Sequence, residues 1–214
     1  MIELLNIDCM EYMKGCADNS FDLAIVDPPY GLGEHEGKAS RNRFSSVEYL
    51  KKGWDTAPPE PEYFQELQRI SKNQIIWGAN HFMQNIGLGS SCWIVWDKEN
   101  GDSHFADCEL AYTSLKTAVR IFRYRWAGML QGDMKNKEAR IHPTQKPVKL
   151  YDWLLSNYAE KGQRILDTHL GSASSAIAAH YFGCDFVGCE LDEDYYRAAT
   201  ERFDQATRQA SMFL

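Results

Sequence analysis

Four short apolar runs along this chain each end on a carboxylate. Glu3-Leu4-Leu5-Asn6-Ile7 stops at Asp8, and Leu23-Ala24-Ile25-Val26 stops at Asp27. Arg164-Ile165-Leu166 stops at Asp167, and Phe186-Val187-Gly188-Cys189 stops at Glu190. Continuous apolar runs of this length, flanked by helical patterns, predict strands buried on both faces of a parallel sheet. Between them the period lengthens. Phe64, Leu67 and Ile70 repeat at helical spacing over 60–70, with Pro61 near the start. Leu150, Leu154 and Tyr158 form one stripe over 147–158, and Gly162 stops the chain before the next strand. An alanine-rich helix is expected over 174–182, ended by Gly183, and a last helix from an Asp192 cap to about residue 209. Further strands are expected at Gln74-Ile75-Ile76-Trp77, Cys92-Trp93-Ile94-Val95-Trp96 and Glu109-Leu110-Ala111-Tyr112.

Strands alternating with helices predict an α/β sandwich around a mostly parallel sheet. Ligands of such sheets sit at the carboxyl ends of the strands, so four acids at four strand ends are four candidate groups on one rim. Segments 31–59 and 113–141 lack periodicity and are rich in glycine, polar and basic residues. They read as long loops laid over that rim, and loops of this kind in compact domains usually carry function. The chain shows no repeat, and its 214 residues fit one domain, 1–214.

Composition narrows the class. At 44% hydrophobic and 25% charged, with mean hydropathy −0.48, the chain is neither disordered nor fibrous. No apolar run approaches the roughly 20 residues that cross a bilayer. The amino terminus has no basic region leading into an apolar stretch, so no secretory signal is expected. The cysteines at 9, 16, 92, 108, 184 and 189 form no C-x-x-C pair. Reduced thiols in a cytoplasm fit them better than a metal cluster, and no metal is expected.

The formal charge of −7 is unevenly spread. Segment 116–149 holds nine basic residues against Asp133 and Glu138, a net of +7, which leaves −14 for the remainder. A chain of this kind can still meet a polyanion through one face. Arg120, Arg123, Arg125, Lys135, Lys137 and Arg140 are the candidate phosphate contacts; a solvated basic surface is the alternative. Among the aromatics, Trp93 and Trp96 are expected in the core. Arg123, Tyr124, Arg125 and Trp126 suit a nucleic-acid contact.

Two motifs carry the chemistry. Asp27-Pro28-Pro29-Tyr30 follows a buried strand directly, and two prolines force the chain out of the sheet with fixed geometry. They also leave carbonyl oxygens without neighbouring N–H donors. An aspartate and a free carbonyl can take both hydrogens of a planar amino group, and a tyrosine ring can stack on the base that bears it. Gripping those hydrogens draws the nitrogen toward tetrahedral geometry and frees its lone pair. The second motif, Asp167-Thr168-His169-Leu170-Gly171-Ser172-Ala173, is a small-residue turn between strand and helix that lets a ligand approach the backbone. Past the helix and the next strand, Glu190 can accept from the hydroxyls of a ribose.

These residues resemble those of the amino-group DNA methyltransferases that use S-adenosylmethionine. Asp27-Pro28-Pro29-Tyr30 matches the family's catalytic motif, and 167–173 is similar to its cofactor loop. His142-Pro143-Thr144-Gln145-Lys146-Pro147 resembles the segment just ahead of that loop, and Asn6-Ile7-Asp8-Cys9 the strand end that holds the cofactor's adenine. The catalytic motif precedes the cofactor loop, as in the family's beta group, so the resemblance implies a Rossmann-like methyltransferase sandwich with circularly permuted motif order. It implies that Asp27, Pro28, Pro29 and Tyr30 hold and stack on the target base. It places the cofactor against Asp8, Cys9, Asp27, Thr144, Lys146, Asp167, Gly171, Ser172 and Glu190. A small target-recognition insertion is expected near 113–141, with segment 38–43 as a further loop over the base.

The implied activity is site-specific methyl transfer to adenine N6 of a flipped base in double-stranded DNA, as in restriction-modification, by a homodimer. N4-cytosine methylation, which uses the same grip on an amine, is the nearest alternative; the aspartate at the head of the motif favours adenine, where serine would favour cytosine. A protein-glutamine methyltransferase and a non-catalytic DNA-binding relic are the others. Two departures stand out: Thr168 and His169 where the family has proline and phenylalanine, and Ala173 where it has a second glycine. Alanine suits that position if the backbone is in an ordinary region, and His169 is expected to pack rather than act as a base.

Overall fold

A computed structural model of the protein describes residues 1–31, 57–87, 89–101, 106–127 and 129–208. The four acid-tipped runs are strands β1 (Ile2–Asn6), β2 (Phe21–Val26), β9 (Arg164–Asp167) and β10 (Asp185–Glu190). With β3 (Ser71–Trp77), β4 (Trp93–Asp97), β5 (Cys108–Thr113) and β6 (Arg120–Arg123) they form one sheet in the order β1-β10-β9-β2-β3-β5-β4-β6. β1, β10, β9, β2 and β3 run parallel, β4 and β6 pair parallel, and β5 lies antiparallel between β3 and β4. The fold is the expected mostly parallel α/β sandwich.

Both faces of this sheet are covered, which explains the unbroken apolar runs. Along β2, Leu23 and Ile25 pack into one core while Ala24 and Val26 pack into the other. The first core holds Leu150, Leu154 and Leu155 of α4 (Val148–Tyr158), and Ala176 and Ala179 of α5 (Ser174–Phe182). The second holds Phe64, Leu67 and Ile70 of α2 (Pro61–Ile70), Ile86 of the single-turn α3 (Met83–Ile86) and Met13 of the one-and-a-half-turn α1 (Cys9–Lys14). A single buried position made α1 invisible to periodicity. The last helix, α6 (Glu193–Arg208), is opened by Asp192, whose carboxylate accepts from the Asp194 and Tyr195 amides.

Segment 113–141 departs from the loop expected of it. It supplies β6 at the sheet edge and a small hairpin, β7 (Trp126–Ala127) with β8 (Leu130–Gln131). These strands are two to four residues long, too short to carry a period. Trp126, expected on the nucleic-acid face, is buried, and its indole N–H donates to the Gln145 carbonyl at 2.8 Å. Trp96 lies in the core as expected, whereas Trp93 is only half-buried, edge-on to Tyr112. Among the described residues no helix is long and apolar enough to cross a membrane, and no group of three metal-ligating side chains converges. Segment 38–43 lies outside the described residues.

Candidate active site

The parallel strands bring Asp8, Asp27, Asp167 and Glu190 to one rim, as the pattern required. A cavity of about 520 Å³ opens there. Its wall includes Asp8, Cys9, Asp27, Pro29, Thr144, Lys146, Gly171, Ser172 and Glu190, and it also takes in His142, His169 and Tyr195. Asp8 caps α1 by accepting from the Met10 and Glu11 amides. Glu190 accepts from the Gly171 amide at 2.9 Å through one oxygen and from the Asp192 amide at 3.0 Å through the other. Burial pushes its carboxyl upward. The loop after β9 is thus fastened to the end of β10, and Gly171 itself takes φ +52°.

Asp167 stands behind this wall. It is buried, accepts from Ser175 Oγ at 2.6 Å and from the His169 amide at 3.0 Å, and burial raises its carboxyl to about 7. Its place is to shape the turn. Thr168 Oγ1 lies 2.6 Å from the Tyr63 hydroxyl and 2.9 Å from His169 Nδ1. Burial lowers the imidazole to about 4, so His169 is neutral. The side chains that depart from the family pattern are therefore tied to one another. Ala173 does not meet the condition set for it: its φ is +60°, the left-handed region that costs an L-residue about 1–2 kcal/mol. Its methyl group is fully buried in the first core, which offsets part of that cost.

At the other end of the cavity, Asp27 joins a buried polar cluster. Its Oδ1 accepts from the Tyr30 hydroxyl at 2.8 Å, and its Oδ2 accepts from the Lys146 ammonium. Lys146 Nζ also lies 3.0 Å from Glu109 Oε2 and 3.2 Å from the Tyr30 oxygen, so all three of its N–H donors have partners. The other oxygen of Glu109 pairs with Lys98 at 2.5 Å. Two carboxylates and two ammonium groups balance, which makes the burial tolerable. Burial pushes Asp27 upward against the pull of Lys146. For Glu109 burial works the same way, but Lys146 and Lys98 outweigh it and hold the carboxyl at about 2. Lys146 is raised because the two carboxylates overcome its burial. Tyr30 stacks on His81, with centroids 5.1 Å apart at 17°, and stays protonated in this setting.

Glu109, Lys98 and Tyr63 were not legible as site residues. Glu109 stands near the start of β5, and only the antiparallel run of that strand brings it to the rim, opposite Trp96 near the end of β4. Cys9 lines the cavity, but burial and Asp8 push its thiol up to about 12, which suits no nucleophile. Of the basic residues, Arg120, Arg123, Arg125, Lys135 and Lys137 are exposed, and Arg123 reaches Asp97 at 3.3 Å. Arg140 is half-buried, its guanidinium 4.5 Å from the Trp126 ring centroid.

A family model for N6/N4 methylases, described as DNA methylase, matches residues 76–201. Over 239 aligned residues the chain is 26% identical to the type II methyltransferase M2.MboI of Moraxella bovis, covering 94% of this chain and 86% of that protein. It is 25% identical to the type II methyltransferase M.HpaI of Haemophilus parainfluenzae, covering 94% and 74%. Among solved structures, the M1.HpyAVI–SAM complex superposes with TM-score 0.59 at 19% identity, covering 94% of this chain and all of that one. The PvuII DNA methyltransferase, cytosine-N4-specific, superposes with TM-score 0.63 at 12% identity, covering 97% and 90%. The structural likenesses show a shared fold.

Proposed function

The chain belongs to the N6/N4 DNA methylase family, and on that premise we propose that it moves a methyl group from S-adenosylmethionine to N6 of a flipped adenine in double-stranded DNA. One observation carries the reading: Asp27 opens on the same cavity that Asp8 and Glu190 line at its other end. A single molecule spanning that cavity brings its reactive end to the aspartate.

The residues present fit the cofactor. Each Glu190 oxygen, after accepting one backbone amide, keeps a lone pair for a ribose hydroxyl. Asp8, Cys9, Gly171, Ser172 and Thr144 line the same cavity; in this reading Asp8 and Cys9 would hold the adenine, and Gly171, Ser172 and Thr144 the amino-acid end. S-adenosylmethionine supplies a methyl group on a sulfonium, a neutral thioether being the leaving group. The rest is positioning. Asp27 Oδ and the Pro28 carbonyl accept the two amine hydrogens, and Tyr30 lies along the base. On taking the methyl group, the target nitrogen would have a proton to shed. Asp27, raised by burial, is a better acceptor for it than an ordinary carboxylate.

Cytosine N4 offers the same planar amine, and the cytosine-specific PvuII neighbour shares the fold. The aspartate at the head of the motif supports adenine. The duplex lies against the exposed basic residues of 116–149, which contact its phosphates. A homodimer belongs to this reading, supported by Val119, 55% exposed just before β6, and Ile121, 45% exposed on that strand, which is the sheet edge among the described residues; a monomer mass by light scattering at micromolar concentration refutes it. Plasmid DNA treated with enzyme and cofactor, then mapped by single-molecule sequencing, tests the reaction. N6-methyladenine at a fixed sequence is expected, lost in Asp27→Ala by about 100-fold or more. N4-methylcytosine, or full activity in that variant, overturns the assignment.

A further inference from the structure

Lys146 sits where the proposed reaction has no use for a third donor. Its ammonium is buried, bonded to the carboxylate assigned to the target amine, and shared with Glu109. A cation held on Asp27 competes for the lone pairs that must grip the base. It also stands on the wall of the cavity proposed for a cationic cofactor. Something must draw it off. Glu109 is the group within reach, at 3.0 Å, and is itself held by Lys98 on its far oxygen. The cation is cradled by rings as well, 5.6 Å from the Trp77 centroid and 5.7 Å from that of Tyr30, so it can shift between carboxylates without leaving favourable surroundings.

We propose that Glu109 is a positioning residue for methyl transfer: it provides the second seat for the Lys146 ammonium, which yields its place on Asp27 to the target amine by withdrawing onto Glu109. This rests on Asp27 being the amine acceptor. Lys146 thereby gives the buried Asp27 carboxylate a partner until the amine takes that place, at no lasting cost to its acceptor strength. No bond is made or broken in the exchange.

The relation is a coupling, so a double-mutant cycle reads it. In Glu109→Gln the ammonium has Asp27 as its one carboxylate partner, and single-turnover methylation of plasmid DNA is expected to fall about 10- to 100-fold. S-adenosylmethionine affinity by calorimetry should stay within about two-fold, since Glu109 is off the cavity wall. Adding Lys146→Met to Glu109→Gln should recover part of the loss, with non-additivity above about two-fold. The acid limb of the pH–rate profile separates this from a structural role. Glu109→Gln removes a negative neighbour of Asp27 and should move the limb to lower pH. Lys146→Met removes its positive neighbour and should move it higher. Glu109→Asp, which keeps the charge, should fall between wild type and the glutamine variant, and serves the comparison should that variant not fold. Additive losses, or limbs that do not move in opposite directions, overturn the proposal. If Asp27→Ala retains full turnover, it is instead the assignment of Asp27 that fails.

Discussion

Gly78 and Tyr30 are packed backbone against ring: a β-carbon built on Gly78 would lie well inside contact distance of the Tyr30 ring carbons. Gly78 also takes φ +67°, so two independent constraints ask for glycine just after β3. Gly78→Ala should lose about 1–2 kcal/mol from the backbone alone, lowering Tm by roughly 2–8 °C for a chain of this size. More tellingly, it must push the Tyr30 hydroxyl off the Asp27 carboxylate to which it donates. Turnover should fall about 100-fold, while calorimetry shows S-adenosylmethionine bound as before, because Gly78 is not on the cavity wall. Wild-type turnover in this variant would mean that the position of Tyr30 is immaterial.

Glu190 fastens two loops as well as facing the cavity. Glu190→Ala should weaken S-adenosylmethionine by about 1.5–3 kcal/mol, the range for hydrogen bonds to a charged group. It also strips acceptors from the Gly171 and Asp192 amides, so thermal stability should fall with it. Glu190→Gln keeps an acceptor oxygen for one of those amides and turns an NH2 toward the other, so it should recover part of the stability and less of the affinity. Equal recovery of both would make Glu190 a brace with no ligand contact.

The contrast between Glu190 and Glu109 shows what was legible in the sequence. A carboxylate that ends an apolar run can be read directly, because in a parallel sheet every such end faces the same rim; that is how Asp8, Asp27 and Glu190 were found. Glu109 begins its run. Its membership of the site depends on β5 running antiparallel, and nothing in four to six residues announces strand direction. Lys146 was legible as a site residue through the motif it resembles, but as a cofactor contact, whereas its ammonium turns to Asp27 and Glu109. Asp167 shows the opposite limit: the rule placed it on the rim, and Ser175 from the following helix claims its free oxygen.

Asp167 predicts a pH dependence of stability. Its carboxyl is at about 7 in the folded protein and near 3.8 when unfolded. Between those values the folded state binds the extra proton, so its contribution is fully present below about 4 and lost as pH rises through 7. His169, lowered to about 4 from 6.5, acts the other way between those values, favouring the folded state as pH rises. The two oppose each other in wild type, so variants are needed to expose either. Asp167→Asn can still accept from the His169 amide and pair with Ser175. Denaturant melts of this variant and wild type should show the variant gaining relative stability from pH 4 to pH 8. A constant difference across that range would mean that Asp167 titrates normally.

The basic segment predicts how binding responds to salt. Arg125, Lys135 and Lys137 are exposed and make no ion pair among the described residues, whereas Arg123 is drawn to Asp97 and Arg140 lies over Trp126. The first three should therefore be the fuller phosphate contacts. Each one removed should lower the magnitude of the slope of log affinity against log salt by about 0.9. Arg125→Ala with Lys137→Ala should reduce it by roughly 1.8 and weaken binding to all sequences alike, because phosphates carry no base identity. Arg140→Ala should change the slope little and cost stability instead, through the lost stacking on Trp126. Cofactor affinity should be untouched, since neither Arg125 nor Lys137 borders the cavity. An unchanged slope in the double variant would make this run a solvated face. The duplex would then have to enter elsewhere, with 38–52, outside the described residues, as the next basic segment to mutate.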